Sequence, residues 1–184
     1  GWDFASNDNK PYDYSLTLME ILLSGGNPGH GTHVAGVIGA GLKNGAGVAG
    51  VAPRVKIMPV RFLTEKGEGT TEGAIKSIDY AVQNGASIIN ASWGGEGGSE
   101  DDAALKEAIA RAEKKGVIFV AAAGNGRLNP QTQTVSGYDN DIDAKPAVPA
   151  SFDHANIMAV AALDSSDGLA SFSNWGKKTV DIGA

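Results

Sequence analysis

Four short apolar runs, at residues 55–62, 87–90, 117–121 and 157–161, are separated by longer segments of helical period. Near-continuous apolar stretches bounded by turn residues are what strands covered on both faces look like. Between the first two runs, Ala74, Ile75, Ile78, Ala81 and Val82 recur on one helical face. That face follows Thr70-Thr71-Glu72, an N-terminal capping signal, and stops at Asn84-Gly85. Between the next two, Glu100-Asp101-Asp102 opens a segment with Ala104, Leu105, Ala108, Ile109 and Ala112 on one side. It closes on Lys114-Lys115-Gly116, charges placed as the helix dipole prefers. Strand, helix, strand, helix, strand in this order predicts an α/β domain of three layers, with a mainly parallel sheet and helices on both faces.

At 184 residues the chain is long enough to bury a proper core, and one domain spanning 1–184 is the default expectation. It contains no cysteine, which excludes disulfides, thiol nucleophiles and Cys-based metal sites. The net charge of −6 is spread without a Lys/Arg stripe, which argues against a grip on nucleic acid or an anionic membrane. No apolar run approaches the roughly 18 residues of a membrane span, and Gly1-Trp2-Asp3 does not open a signal peptide, so the start reads as a cut within a longer protein. Nothing in the sequence specifies an oligomeric state. The tracts 3–28 and 127–149, rich in Asn, Asp, Gly and Pro, read as irregular, and no internal repeat is present.

Residues 33–40 are small and apolar all round, so they form either a buried helix lying close to its neighbours or a short strand; the helix is the favoured reading. Just before them, Gly29-His30-Gly31-Thr32-His33-Val34-Ala35-Gly36 sets an imidazole between two glycines, where little bulk would block a substrate backbone. This segment resembles the H-G-T-H-V-A-G pattern of the subtilase family of serine proteases. The resemblance implies that His30 is the general base of an Asp-His-Ser triad, taking the proton from a serine hydroxyl and returning it to the leaving amine. His33 is read as structural. A zinc site at the two histidines lacks the glutamate and the spacing of H-E-x-x-H.

The third apolar run ends in Ala121-Ala122-Ala123-Gly124-Asn125-Gly126. An Asn at the carboxyl end of a parallel strand is placed for a cleft, and the stretch resembles the family's A-A-G-N. By that resemblance the Asn125 amide donates to the oxyanion of the tetrahedral intermediate; a turn-forming Asn-Gly is the plain structural alternative. Asn90-Ala91-Ser92-Trp93-Gly94-Gly95 resembles the N-x-S-x-G-G segment that forms one wall of the primary specificity pocket. Ser92, Trp93 and Gly94 would then face Ala122, Ala123 and Gly124 on the other wall. The room left by Gly94 and Gly124 would favour an apolar or aromatic residue before the scissile bond. Ser92 is not in a G-x-S-x-G elbow and is read as structural. Leu63 with Gly67, Glu68 and Gly69, after the strand-like 60–63, resembles the segment that adds ladder hydrogen bonds to an extended substrate. Residues 148–151, 171–176 and 180–184 match stretches that precede the family's nucleophile.

The family's order is Asp, His, Ser, so the resemblance places the aspartate before Gly1 and the serine after Ala184. Asp181, in Thr179-Val180-Asp181-Ile182, mimics the aspartate strand but belongs to the later segment. Without those two residues the chain alone should not hydrolyse peptides. No cofactor is required. Family members often bind calcium in acidic loops, and Asp139, Asp141 and Asp143 or Asp3, Asp8 and Asp13 are the candidates, with a solvated polar loop as the alternative. The implied function is a secreted endopeptidase acting on proteins and peptides. Two other readings are a pseudoprotease that binds extended peptides without cutting them, which needs neither His30 nor Asn125, and an unrelated α/β ligand-binding domain.

Overall fold

A computed structural model describes residues 1–12 and 29–184. They fall into two compact units, Gly1–Ala81 and Val82–Ala184.

In the first unit, β1 (Trp2–Asp3) pairs in parallel with β2 (Val60–Arg61). The pairing is pinned by a buried carboxylate. Asp3 accepts from the backbone N–H of Ala5 and Ser6 and from Arg61 Nη1 at 2.6 Å. The predicted strand 55–62 is therefore only two residues long: Pro59 cannot donate to a ladder, and Val55 and Ile57 stand exposed. Helix α1 (His30–Gly39) confirms the helical reading of 33–40. It is not buried as expected, since none of its residues is fully covered. Among the described residues, its end is closely approached: a Cβ on Gly39 would lie 2.9 Å from Ile57 Cδ1, and one on Gly50 would strike the backbone of Gly39 and Ala40. Helix α2 (Thr71–Gln83) starts where the capping signal put it, with Thr70 Oγ1 accepting from Gly73 N at 3.0 Å. It stops before Gly85, whose φ of +81° a side chain would resist.

In the second unit, β3 (Ile88–Ala91), β5 (Ile118–Ala122), β9 (Ile157–Ala161) and β10 (Ile182–Gly183) form a parallel sheet in the order β10-β9-β5-β3. Helix α3 (Asp102–Lys114) links β3 to β5 and buries Leu105, Ala108, Ile109 and Ala112. Its first turn is held by Asp102, which accepts from Gly98 N and Ser99 Oγ. The register puts Ala91, Phe119, Ala121, Ala159 and Ala161 on one face, all buried, while the opposite face carries Ile88, Ile118, Met158 and Ile182 exposed. The expectation that these strands are covered on both faces thus holds for one face among the described residues. Two short antiparallel pairs complete the unit: β4 (Gly95–Glu96) with β8 (Ala147–Val148), and β6 (Arg127–Asn129) with β7 (Thr134–Ser136). The hairpin β6-β7 lies in a tract the sequence predicts as irregular. Its turn is closed by the Asn129 side chain, which accepts from Gln131 N and Thr132 N.

Candidate active site

The residues singled out in the sequence stand at element ends. His30 opens α1 and is half-buried, while His33, one turn on, is exposed rather than packed. Among the described residues, nothing outside their own chain neighbours and helix backbone lies within 4 Å of the Cβ positions of Gly29 and Gly31. In the same unit the chain turns tightly after β2. Thr64 N donates to Glu68 O, Gly67 N donates to Thr64 O, and Gly67 has a φ of +77°. Leu63 packs at the base of this loop, 2.6 Å from where a Gly69 Cβ would stand, and Gly67, Glu68 and Gly69 are exposed.

In the second unit, the parallel register sets Ala91 opposite Ala121, so Ser92 and Ala122 leave the sheet side by side at its carboxyl edge. A cavity of about 260 Å³ opens there, lined in part by Asn90, Ser92, Ala122, Val160 and Ala184. This is where parallel α/β sheets place ligands. Ser92 Oγ accepts from Asn90 Nδ2 at 2.8 Å, consistent with a structural role. Trp93 stands edge-on to buried Phe119, with ring centroids 6.4 Å apart. Asn125, beyond the end of β5, is exposed and makes no side-chain hydrogen bond among the described residues.

The glycines of the two walls do not leave the room the sequence suggests. A Cβ on Gly94 would lie 2.7 Å from Val148 O, and one on Gly124 would lie 2.5 Å from Asn174 Nδ2 and 2.9 Å from Ala147 Cβ. Both serve close approach of the protein's own chain, so a large specificity pocket does not follow from them. Arg127, missed in the sequence, ties this region together. It donates to Glu96 and Asp143 and to Lys145 O, and stacks 3.9 Å over the Tyr138 ring. Its proximity to Asp143 holds that carboxyl below the usual range.

The described carboxylates of the acidic loops are engaged internally. Asp141 accepts from the hydroxyl and backbone of Thr179 and from Lys178 N, and the Thr179 hydroxyl above all holds its pKa low. Asp143 faces Arg127, while Asp139 accepts from Asp141 N. Asp3 is committed to Arg61, and Asp13 lies outside the described residues. No group of three acidic or histidine side chains converges as a metal site among the described residues. Asp181 serves the sheet, its carboxylate accepting from Ala159 N at 2.7 Å.

A model described as the subtilase family matches residues 6–184, and the chain belongs to that family of serine proteases. It is 42% identical over 148 residues to subtilisin DY of Bacillus licheniformis, covering 80% of this chain and 48% of that protein. It is 36% identical to thermitase of Thermoactinomyces vulgaris, covering 100% of this chain and 54% of the relative. The crystal structure of a cold-adapted subtilisin-like serine proteinase superposes with a TM-score of 0.71 at 36% identity, covering 100% of this chain and 54% of that one. The chain thus spans about half the length of the curated relatives it matches. No helix of the described residues is long and apolar enough to cross a membrane.

Proposed function

We propose that residues 1–184 are the central part of one peptidase domain that hydrolyses peptide bonds by acyl transfer, with aspartate and serine of the triad supplied from outside this sequence. His30 accepts the serine proton on attack and donates it to the leaving amine. Asn125 donates its amide to the oxyanion, the charge that develops only as the tetrahedral intermediate forms. Ser92, Trp93 and Gly94 flank a substrate strand on one side and Ala122, Ala123 and Gly124 on the other. Leu63, Gly67, Glu68 and Gly69 supply the non-primed side. No cofactor enters the reaction, the substrates are proteins or peptides, and the site of action is extracellular.

The observation that carries this reading is the pair of motifs around His30 and Asn125, in the family's order, one opening a helix and the other closing a parallel strand. The reading makes the isolated chain inert, because an imidazole without its serine and orienting aspartate cannot form an acyl-enzyme. Casein hydrolysis by a purified preparation whose mass matches these residues alone should be absent. Cleavage sensitive to phenylmethylsulfonyl fluoride in that preparation would overturn the proposal.

A further inference from the structure

Gly124 and Gly126, on either side of Asn125, have φ of +116° and +70°. A Gly-Asn-Gly turn of this kind has little stiffness of its own, since glycine reaches these and many other conformations at small cost. A donor that stabilises an oxyanion must nonetheless be fixed before the charge appears. What fixes the turn is a pair of asparagine side chains from outside it, Asn140 and Asn174, only 2% and 1% exposed.

Asn174 Oδ1 accepts from Gly126 N at 3.0 Å and from Tyr138 N at 3.2 Å, while its own backbone N–H donates to Gly124 O at 2.9 Å. Asn140 Nδ2 donates to Ala123 O at 2.9 Å, and its Oδ1 accepts from Ala147 N. The two carboxamides are joined, Asn174 Nδ2 to Asn140 Oδ1 at 3.1 Å. The backbone on both sides of Asn125 is therefore held by one buried network, and the Asn125 side chain is left outside it, exposed. Asparagine suits both places because a carboxamide donates and accepts at once, which neither a carboxylate nor an aliphatic chain can do. Buried polar networks satisfied in this way rigidify what they touch.

We infer that Asn140 and Asn174 are positioning residues for the oxyanion donor, fixing the turn from which Asn125 reaches the reacting carbonyl. The inference rests on the reading of Asn125 as that donor. The test is a double-mutant cycle in the full-length peptidase, with kcat and KM measured on a peptide substrate. Asn125→Ala should lower kcat by about 10²–10³, the range measured for such a donor in subtilisin itself. Asn174→Ala should lower kcat on the order of 10²-fold with KM little changed, the penalty of a misplacement of about 1 Å. In the Asn125→Ala background the same change should cost less than about threefold, because the group it positions is gone.

Full activity in Asn125→Ala would remove the donor reading and the inference with it. A normal kcat in Asn174→Ala, or an equal loss in both backgrounds, would overturn the positioning role alone. If Asn174→Ala does not fold, Asn140→Ser, which releases Ala123 O, runs the same cycle. Failure of both to fold would also overturn the inference, placing the pair in the stability of the fold.

Discussion

Gly124 is the position where conformation and packing can be priced together. Its φ of +116° lies outside the regions open to side chains, a strain of about 1–3 kcal/mol for any other residue. An alanine Cβ would stand 2.5 Å from Asn174 Nδ2 and 2.9 Å from Ala147 Cβ, and overpacking of this kind costs a further 1–3 kcal/mol or so. Asn174 cannot simply move aside, because shifting its buried carboxamide breaks the Nδ2 bond to Asn140 Oδ1 and the Oδ1 bonds from Gly126 N and Tyr138 N. Gly124→Ala should therefore lose about 2–6 kcal/mol of stability, a range that is the sum of the two terms. The assay is urea unfolding followed by circular dichroism. Gly95→Ala serves as the control, since among the described residues nothing beyond its chain neighbours lies within 4 Å of its Cβ position, and it should stay within about 0.5 kcal/mol of the parent. Equal midpoints for the two variants would refute the reasoning.

Acid should act on the loop around Asp141. The Thr179 hydroxyl holds its folded pKa below the ordinary value, so the unfolded chain binds more protons in the interval between the two. Its stabilisation is complete above the unfolded value of about 3.9 and is lost as pH falls through the lower folded one. Asp141→Asn should flatten the stability profile below about pH 4, and a profile as steep as the parent's would contradict the assignment. Calcium should change little at these loops, since the carboxylates of Asp3, Asp141 and Asp143 are already engaged with Arg61, Thr179 and Arg127. The thermal midpoint should match in millimolar calcium and in chelator; a clear rise with calcium would restore the loops as metal sites.

The elements whose covering helix lies nearby in sequence were the legible ones. Of the predicted face of α3, Leu105, Ala108, Ile109 and Ala112 are buried and Ala104 is exposed, and 117–121 and 157–161 predict β5 and β9 to within a residue. Residues 55–62 misled because apolar content outweighed Pro59, which ends any ladder at that point. The helix at 30–39 was legible from its small residues, but its burial was not, because compositional smallness does not say which neighbours approach. At the site, the motifs marked His30 and Asn125, while the reason for the adjoining glycines was misjudged: Gly94 and Gly124 make room for Val148, Ala147 and Asn174. Those partners lie 23 to 54 residues away along the chain. Asn140 and Arg127, in a tract that reads as polar loop, owe their roles to contacts no local pattern encodes.

The central claim, that His30 is the base of a serine peptidase, is tested most directly by casein hydrolysis with the full-length protein and its His30→Ala variant. The account requires a serine-inhibitor-sensitive activity that collapses when the imidazole is removed. A folded parent that binds peptide yet cleaves nothing, or a His30→Ala variant that cleaves as fast as the parent, would contradict it.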